Sequence, residues 1–253
     1  VDLCGPSESY SVQRFQTAAR SCVDGLLGEG KVPVLCGGTG LYLDAVIDEM
    51  KFPRGQVGSS RRSHYEDILS TQGAAALYEL LRQRDAASAR LIHPNNSRRV
   101  VRALEMLDEG VSYAKQHEGL RSRPAHYRAL VWGLTMSRER LYKRIDSRVD
   151  DMMARGLVDE VSDLLASGLS ADSTAGQAIG YKEVIEYLDG NCDLDDAVET
   201  IKRRTRNYAK RQLSWLRRDG RTRWLDMDEL TPERACELVV KSAFEEVQAR
   251  EQI

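Results

Sequence analysis

Near its start the chain passes from a short apolar run directly into a glycine-rich turn. Val32 to Cys36 (V-P-V-L-C) precede Gly37-Gly38-Thr39-Gly40, and Leu41 to Met50 then follow a helical pattern. A continuous apolar run bounded by glycines predicts a buried strand of a parallel sheet. Glycines also let the backbone approach an anion, and the N–H groups at the following helix start point towards it. The order of strand, turn and helix therefore predicts an α/β fold. The turn either binds an anion or is only a tight connection.

The composition is that of an ordinary globular chain. Of the 253 residues, 42% are hydrophobic and 30% are charged, which argues against a largely disordered protein. No run approaches the roughly 18 apolar residues that a membrane-spanning helix needs, so no membrane association is expected. The five cysteines are scattered and never in a C-x-x-C spacing. They indicate reduced thiols in the cytoplasm rather than a disulfide framework or a zinc site.

Further strand and helix patterns indicate an insertion within an α/β core. Tyr127 to Leu134 (Y-R-A-L-V-W-G-L) is typical of a second strand, and Trp224-Leu225 of a last short one. Helical patterns of the core cover 8–29, 137–155, 157–167, 177–188, 194–218 and 232–250. Residues 51–62 have the composition of a linker, helices are predicted at 61–72, 73–83 and 96–108, and 111–127 shows no clear periodicity. We therefore expect a core with a parallel sheet from 1–54 and 127–253, and an all-helical insertion at 55–126.

Arg148 lies in the apolar stripe of a predicted helix. On a wheel of about 100° per residue, Arg148 and Met152 fall on either side of Leu141, and Ile145 and Val149 continue the apolar side. Burying an arginine there without a partner costs free energy. The residues alone leave two explanations open. Arg148 either snorkels or pairs with a core carboxylate, or it reaches into a cleft to bind a phosphate.

A strongly basic segment follows an acidic one late in the sequence. Glu183 to Thr200 contains seven acids and no base, whereas Lys202 to Arg223 contains ten bases and one acid. The formal net charge of −2 therefore conceals a local positive field. A solvated helix face would explain these charges. The interleaved Tyr208 and Trp215 favour the other explanation, nucleic-acid binding.

Arginines also open the helix predicted at 96–108. Arg98, Arg99 and Arg102 stand in its first turns, where the helix dipole favours acids. Arginines at this position destabilise the helix but are suited to phosphate contact. A helix start without a binding role and one that contacts phosphate both remain open. Elsewhere, the chain has no Walker P-loop, zinc-protease or nucleophile-elbow motif, and its four histidines show no ligand spacing.

Six sequence blocks together carry a family resemblance. They are V-L-C-G-G-T-G-L-Y (34–42), N-S-R-R-V-V-R-A-L-E (96–105), R-I-D-S-R-V-D-D-M-M-A-R-G-L-V-D-E-V (144–161), A-I-G-Y-K-E-V (178–184), Y-L-D-G (187–190) and A-K-R-Q-L-S-W-L-R-R (209–218). In this order they resemble the tRNA dimethylallyltransferases, also called tRNA isopentenyltransferases. The resemblance covers the chain from about Ser7 to Trp224.

The resemblance implies a reaction and a fold. Members of this family transfer a dimethylallyl group from dimethylallyl diphosphate to N6 of the adenine 3′-adjacent to the tRNA anticodon. The core would resemble a P-loop kinase, and the helical insertion would grip the anticodon stem-loop while the target adenine is flipped into a channel. Mg²⁺ would lie mainly on the diphosphate and the P-loop, so no metal ligand is expected in these residues. A cytoplasmic monomer is expected.

The resemblance also implies site residues by position. Thr39 and Arg148 match catalytic residues that stabilise the diphosphate as it leaves, and with Gly37 and Gly38 they form the expected diphosphate site. The expected tRNA-binding residues are Arg62, Arg98, Arg99, Arg102, Gln177, Gly180, Tyr181, Lys182, Lys210, Arg211, Gln212, Ser214, Trp215 and Arg217.

One part of the family pattern has no match. The family begins with a P-loop and then an aspartate, the proposed general base, and neither occurs in these 253 residues. The sequence starts at Val1, and Gly5 to Tyr10 matches a later family segment. We therefore expect a fragment that is inactive by itself and a full-length parent that is active.

Three other functions compete with this one. An adenylate isopentenyltransferase would need neither the insertion nor the basic helix. A non-catalytic RNA-binding module gives no reason for Arg148 on an apolar face. A general P-loop kinase would explain the core but not the segments that resemble tRNA-binding ones.

Overall fold

The structure, a computed structural model, describes residues 3–8, 10–52, 60–119 and 124–251, which fall into two compact units. The first unit runs up to Leu43 and resumes at Arg128, and the second is Asp44–Tyr127. The insertion predicted from the sequence covers 55–126. Most of the predicted linker, residues 53–59, lies outside the described residues.

Helices dominate both units. In chain order the elements are α1 (Val12–Gly28), α2 (Gly40–Ile47), α3 (Ser60–Arg84), α4 (Ala86–Leu91), α5 (Ser97–Asp108), α6 (Tyr113–Gly119), β1 (Val131–Thr135), α7 (Arg138–Ala154), α8 (Leu157–Ala166), α9 (Tyr181–Leu188), α10 (Leu194–Leu216), β2 (Thr222–Asp226) and α11 (Pro232–Glu251). The short helices α4 and α6 were not predicted, because neither is long enough to show a periodic apolar face.

The sheet of the first unit is parallel, as predicted. β1 pairs with β2 in a register that runs from Val131 opposite Thr222 to Thr135 opposite Asp226. Gly133 faces Trp224, and a Cβ at position 133 would lie 2.8 Å from the indole ring. A glycine is therefore required there for the strands to approach.

The strand predicted at Val32 to Cys36 is wrong. Residues 31–39 form neither helix nor strand, and the side chains of Val32 and Val34 are 60% and 86% exposed. A strand exists only where a neighbouring strand completes its hydrogen bonds. In the described part of the chain, β1 and β2 pair with each other and no strand lies beside this segment.

The core of the first unit anchors α10. Val149 of α7, Val161 of α8, Val184 of α9 and Ile201 of α10 are buried in one apolar cluster. Asp193 caps the start of α10 by accepting a hydrogen bond from the backbone N–H of Asp196 at 2.8 Å. The apolar face of α10 is therefore fixed against α7 and α9, which leaves its other faces to carry the basic side chains.

The second unit has a helical core of its own. Leu77 and Leu81 of α3 pack against Val100 and Leu104 of α5, and all four are fully buried. Gly73, at φ 83° and ψ 171°, interrupts α3 and divides it into two helical segments. The sequence predicted this division, with separate helices at 61–72 and 73–83.

A polar network ties α3 to α5. Tyr65 donates a hydrogen bond to Asp108 at 2.7 Å, and Arg84 donates one to Asp108 at 2.7 Å and another to the Tyr65 hydroxyl at 2.6 Å. Partial burial alone would raise the pKa of Asp108, but the hydrogen bonds from Arg84 and Tyr65 lower it overall. The charged carboxylate is therefore the form that the fold favours.

Among the helices that the structure describes, none combines the length and the apolar character that crossing a membrane requires.

Candidate functional site

The glycine-rich turn lies directly against α10. A Cβ on Gly38 would overlap the amide of Gln212, and a Cβ on Gly40 would overlap the indole ring of Trp215. The Gln212 amide is the end of a flexible side chain and could move aside, whereas the rigid Trp215 ring could not. Gly40 is therefore needed for this close approach, and the turn is held on the helix.

The exposed Thr39 hydroxyl is held by a second residue of α10. Thr39 Oγ1 lies 3.0 Å from the hydroxyl of Tyr208, a half-buried residue. The guanidinium of Arg211 stands 5.5 Å from the centroid of the Tyr208 ring, within range of a cation–π interaction. The structure thus brings one predicted diphosphate-site residue together with one predicted tRNA-binding residue through Tyr208.

The basic side chains of α10 divide into two groups. Lys202 and Arg206, in the first half of the helix, form ion pairs of 2.7 and 2.6 Å with Asp150 and Asp146 of α7. Among the predicted tRNA-binding residues of the second half and the C-cap, Gln212 and Trp215 are half-buried, whereas four are exposed: Lys210, Arg211, Ser214 and Arg217. In the first half, carboxylates of α7 and α9 pair with Lys202, Arg206 and Arg204, although Arg203 is exposed. The cations of the second half are therefore the more available to a polyanion.

Arg148 is exposed on α7, and the expectation that it points inward is wrong. The buried residue of α7 is Val149, around which the cluster with α8, α9 and α10 forms. Arg148 is about 100° from Val149 on the helical wheel, so it stands at the margin of the buried face. In the described part of the chain it forms no hydrogen bond or ion pair, and its guanidinium is available to an anion.

The predicted tRNA-binding segment 177–182 is not helical throughout. The sequence predicted a helix from Gln177, but α9 begins at Tyr181 because Gly180 takes φ 104°, outside the helical region. Before it, Gln177 donates a hydrogen bond to the carbonyl of Ala171 at 2.9 Å and accepts one from Lys182 at 3.4 Å. This segment is therefore a loop that is held by side-chain hydrogen bonds and leads into α9.

Buried Glu183 fixes the start of α9. One of its carboxylate oxygens accepts a hydrogen bond from the backbone N–H of Gly180 at 2.7 Å, and the other pairs with Arg204 of α10. Nearby, the hydroxyl of Tyr181 donates a hydrogen bond to Glu160 of α8. That hydrogen bond, together with burial, raises the pKa of Tyr181 to about 12. The loop is thus tied to both α8 and α10.

The predicted arginines of the second unit fall into two environments. Arg98 and Arg99 are exposed at the start of α5. Arg62 and Arg102 are half-buried, and their guanidinium groups lie 3.9 and 3.6 Å from the carboxylate of Glu105, which is 3% exposed. Glu105 thus restrains two of the four cations, and the exposed pair is the more accessible to a ligand.

A model of the IPP transferase family matches residues 1–219. The chain belongs to this family. It is 41% identical over 246 residues to a tRNA dimethylallyltransferase of Carboxydothermus hydrogenoformans, with 96% of this chain and 78% of the relative covered. A tRNA dimethylallyltransferase of Halalkalibacterium halodurans is 41% identical over 231 residues, which cover 91% of this chain and 73% of the relative.

Solved structures of similar proteins confirm the predicted fold class. The full-length tRNA isopentenylpyrophosphate transferase of Bacillus halodurans matches with a TM-score of 0.68 and 39% identity, over 100% of this chain and 80% of its own. A eukaryotic dimethylallyltransferase acting on tRNA matches with a TM-score of 0.74 and 27% identity, over 96% of this chain and 64% of its own. This IPP transferase family member therefore has an α/β core with a helical insertion.

The sequence indicated Tyr208 only as an aromatic residue among the bases of α10, and its position beside Thr39 was not predicted. Tyr208, Gln212 and Trp215 are spaced by four and three residues, so they form one stripe of α10. This stripe is the surface that receives Thr39 and its flanking glycines. The spacing was visible in the sequence, but it does not show which loop the stripe meets.

Within the described residues, no group of histidine, cysteine or acidic side chains is arranged to hold a metal ion. The five cysteines are free thiols. The side chains described here thus offer no ligand set for Mg²⁺, and we assign none.

Proposed function

We propose that this protein transfers a dimethylallyl group from dimethylallyl diphosphate to N6 of the adenine 3′-adjacent to the tRNA anticodon. The observation that carries the proposal is the junction between the glycine-rich turn and α10. There the Thr39 hydroxyl, suited to a diphosphate, is hydrogen-bonded to the helix whose second half exposes the cations. The tRNA dimethylallyltransferases similar to this chain support the same reaction.

The reaction exchanges one bond for another. The bond between C1 of the dimethylallyl group and the diphosphate oxygen breaks, and its electron pair leaves with the diphosphate. The lone pair of N6 forms the new bond to C1, and N6 then loses a proton, which a base or solvent water accepts. Negative charge therefore grows on the diphosphate as the transition state is reached, and groups placed to stabilise that charge accelerate the step.

Two side chains of this chain are suited to that charge. The Thr39 hydroxyl can donate a hydrogen bond to a diphosphate oxygen. The exposed guanidinium of Arg148 can donate up to two parallel hydrogen bonds to the same group. We propose that both bind the departing diphosphate, which enters with Mg²⁺ as its counterion.

The exposed cations would bind tRNA. Five cations are suited to phosphates because each is exposed to solvent: Lys210 and Arg211 on α10, Arg217 at its C-cap, and Arg98 and Arg99 on α5. The residues of segment 177–182 would position the anticodon loop. An adenine must leave the base stack before its N6 can be alkylated, which costs a few kcal/mol that backbone contacts offset. The cytoplasmic location and the monomeric state remain predictions.

The test is a transfer assay on the full-length protein with isotope-labelled dimethylallyl diphosphate, Mg²⁺ and unmodified tRNA. We expect label in the tRNA fraction and no inhibition by excess AMP. Label in AMP instead of tRNA would support an adenylate isopentenyltransferase. Tight tRNA binding without transfer would support an RNA-binding module, and either result would refute the proposal.

A further inference from the structure

We propose that Tyr208 is a positioning residue for the transfer reaction, because it orients the hydroxyl of Thr39 towards the departing diphosphate. This inference rests on the proposed function and adds to it a residue that the family resemblance does not assign. Its basis is the 3.0 Å hydrogen bond between the Tyr208 and Thr39 hydroxyls. Tyr208 does not itself touch the substrate in this proposal; it acts through Thr39.

The direction of this hydrogen bond decides what Thr39 can do. The Thr39 hydroxyl has one proton and two lone pairs. If the phenol of Tyr208 donates, it uses one lone pair of Thr39 and leaves the Thr39 proton free for an anion. If Thr39 donates instead, its only proton is consumed within the protein. Tyr208 therefore makes Thr39 a donor to the diphosphate only in the first arrangement.

Two features favour the first arrangement. A phenol is a stronger hydrogen-bond donor than an aliphatic alcohol, because the ring stabilises the negative charge that its oxygen gains. The guanidinium of Arg211, 5.5 Å from the centroid of the Tyr208 ring, strengthens this effect through its positive charge. An anion bound beside Thr39 favours the same arrangement, because it repels the lone pairs of the Thr39 hydroxyl and attracts its free proton.

Packing contacts within the protein set this geometry. Gly40 packs against the ring of Trp215 and Gly38 against Gln212, so the residues on both sides of Thr39 are fixed on the stripe that carries Tyr208. α10 is itself anchored through Ile201 in the core. A donor that is already aimed at the developing charge needs no reorganisation during the reaction, and such groups contribute most to the rate.

The experiment compares Tyr208→Phe with the wild type in the full-length protein. The substitution removes one hydroxyl and keeps the aromatic ring over which Arg211 lies. We expect kcat to fall about 10-fold, with the KM for tRNA and the Kd for tRNA unchanged within twofold. Tyr78→Phe is the matched control, because it also removes a hydrogen bond, 2.9 Å to the carbonyl of Ala89, but within the second unit. It should keep the wild-type kcat.

A double-mutant cycle separates positioning from general structural loss. In a Thr39→Val background no hydroxyl remains to be oriented, so adding Tyr208→Phe should lower kcat no further. In a Thr39→Ser background the hydroxyl is kept, and Tyr208→Phe should again cost about 10-fold. A structural role would instead give the same additional loss in both backgrounds.

The outcomes distinguish this proposal from the proposed function. If the wild type makes no prenylated tRNA, the proposed function fails and the proposal falls with it. If the wild type is active and Tyr208→Phe keeps its kcat, or if its effect adds to that of Thr39→Val, the function stands and the role of Tyr208 is overturned.

Discussion

Replacing Glu183 with alanine tests how the start of α9 is held. Glu183 is 3% exposed and connects the backbone N–H of Gly180 to Arg204. Without the carboxylate, the Gly180 N–H has no acceptor, which costs about 1–3 kcal/mol. Loss of the charge at the helix start costs about 0.5 kcal/mol. Loss of the pair with Arg204, whose side chain is 43% exposed, costs up to about 1 kcal/mol. The expected total is about 3 kcal/mol.

Urea unfolding followed by tryptophan fluorescence is a suitable assay. Trp132, Trp215 and Trp224 all belong to the first unit, so the signal reports the unit that contains Glu183. With a slope of about 2 kcal/mol per molar urea, Glu183→Ala should lower the midpoint by about 1.5 M.

Two further variants sharpen this test. Glu183→Gln keeps an acceptor for the Gly180 N–H and should lose only about 1 kcal/mol. Glu186→Ala, one turn later on the exposed side of α9, is the control and should stay within about 0.5 kcal/mol of the wild type. If Glu183→Ala shifts the midpoint no more than Glu186→Ala does, the capping argument is refuted.

Three other predictions follow from the same geometry. Arg148→Ala should abolish transfer and leave the Kd for tRNA within twofold in a binding assay. The control Arg144→Ala, one turn away, should keep transfer. A large loss of tRNA affinity in Arg148→Ala would contradict the assigned role of Arg148. Arg99→Ala should reduce the slope of log Kd against log salt by about 0.7–1, and an unchanged slope would exclude a phosphate contact. Asp108→Asn should lower the melting temperature at pH 7, measured by circular dichroism. Because the pKa of Asp108 is lowered in the fold, its carboxylate contributes to the free energy of unfolding above about pH 4, and this contribution is lost at lower pH. The melting temperature of Asp108→Asn should therefore fall less than that of the wild type when the pH is lowered. An equal fall would contradict this prediction.

Local sequence patterns predicted the helices whose starts, ends and interruptions are marked by their own residues. α5, for example, begins after Asn96, which accepts a hydrogen bond from the backbone N–H of Arg99, and its bounds Ser97–Asp108 agree with the helix predicted at 96–108. The division of α3 at Gly73 was also visible, since a glycine within a helical pattern signals an interruption.

Other features depended on contacts that no local pattern contains. The apolar run Val32 to Cys36 has the composition of a strand, but a strand requires a neighbour, and the described residues place none there. The wheel put Arg148 in an apolar stripe, but the packing partners of α7 centre the buried face on Val149 instead. Tyr208 could be assigned to the Thr39 site only when the structure showed which loop its hydroxyl meets.

Mass spectrometry of nucleosides shows whether the protein prenylates one adenine of tRNA. The full-length protein is incubated with dimethylallyl diphosphate, Mg²⁺ and either unmodified tRNA or the same tRNA with guanine in place of the adenine 3′-adjacent to the anticodon. We expect isopentenyladenosine in digests of the first tRNA and none in digests of the second. Absence of the product from the first tRNA, or equal amounts of product in both, would contradict it.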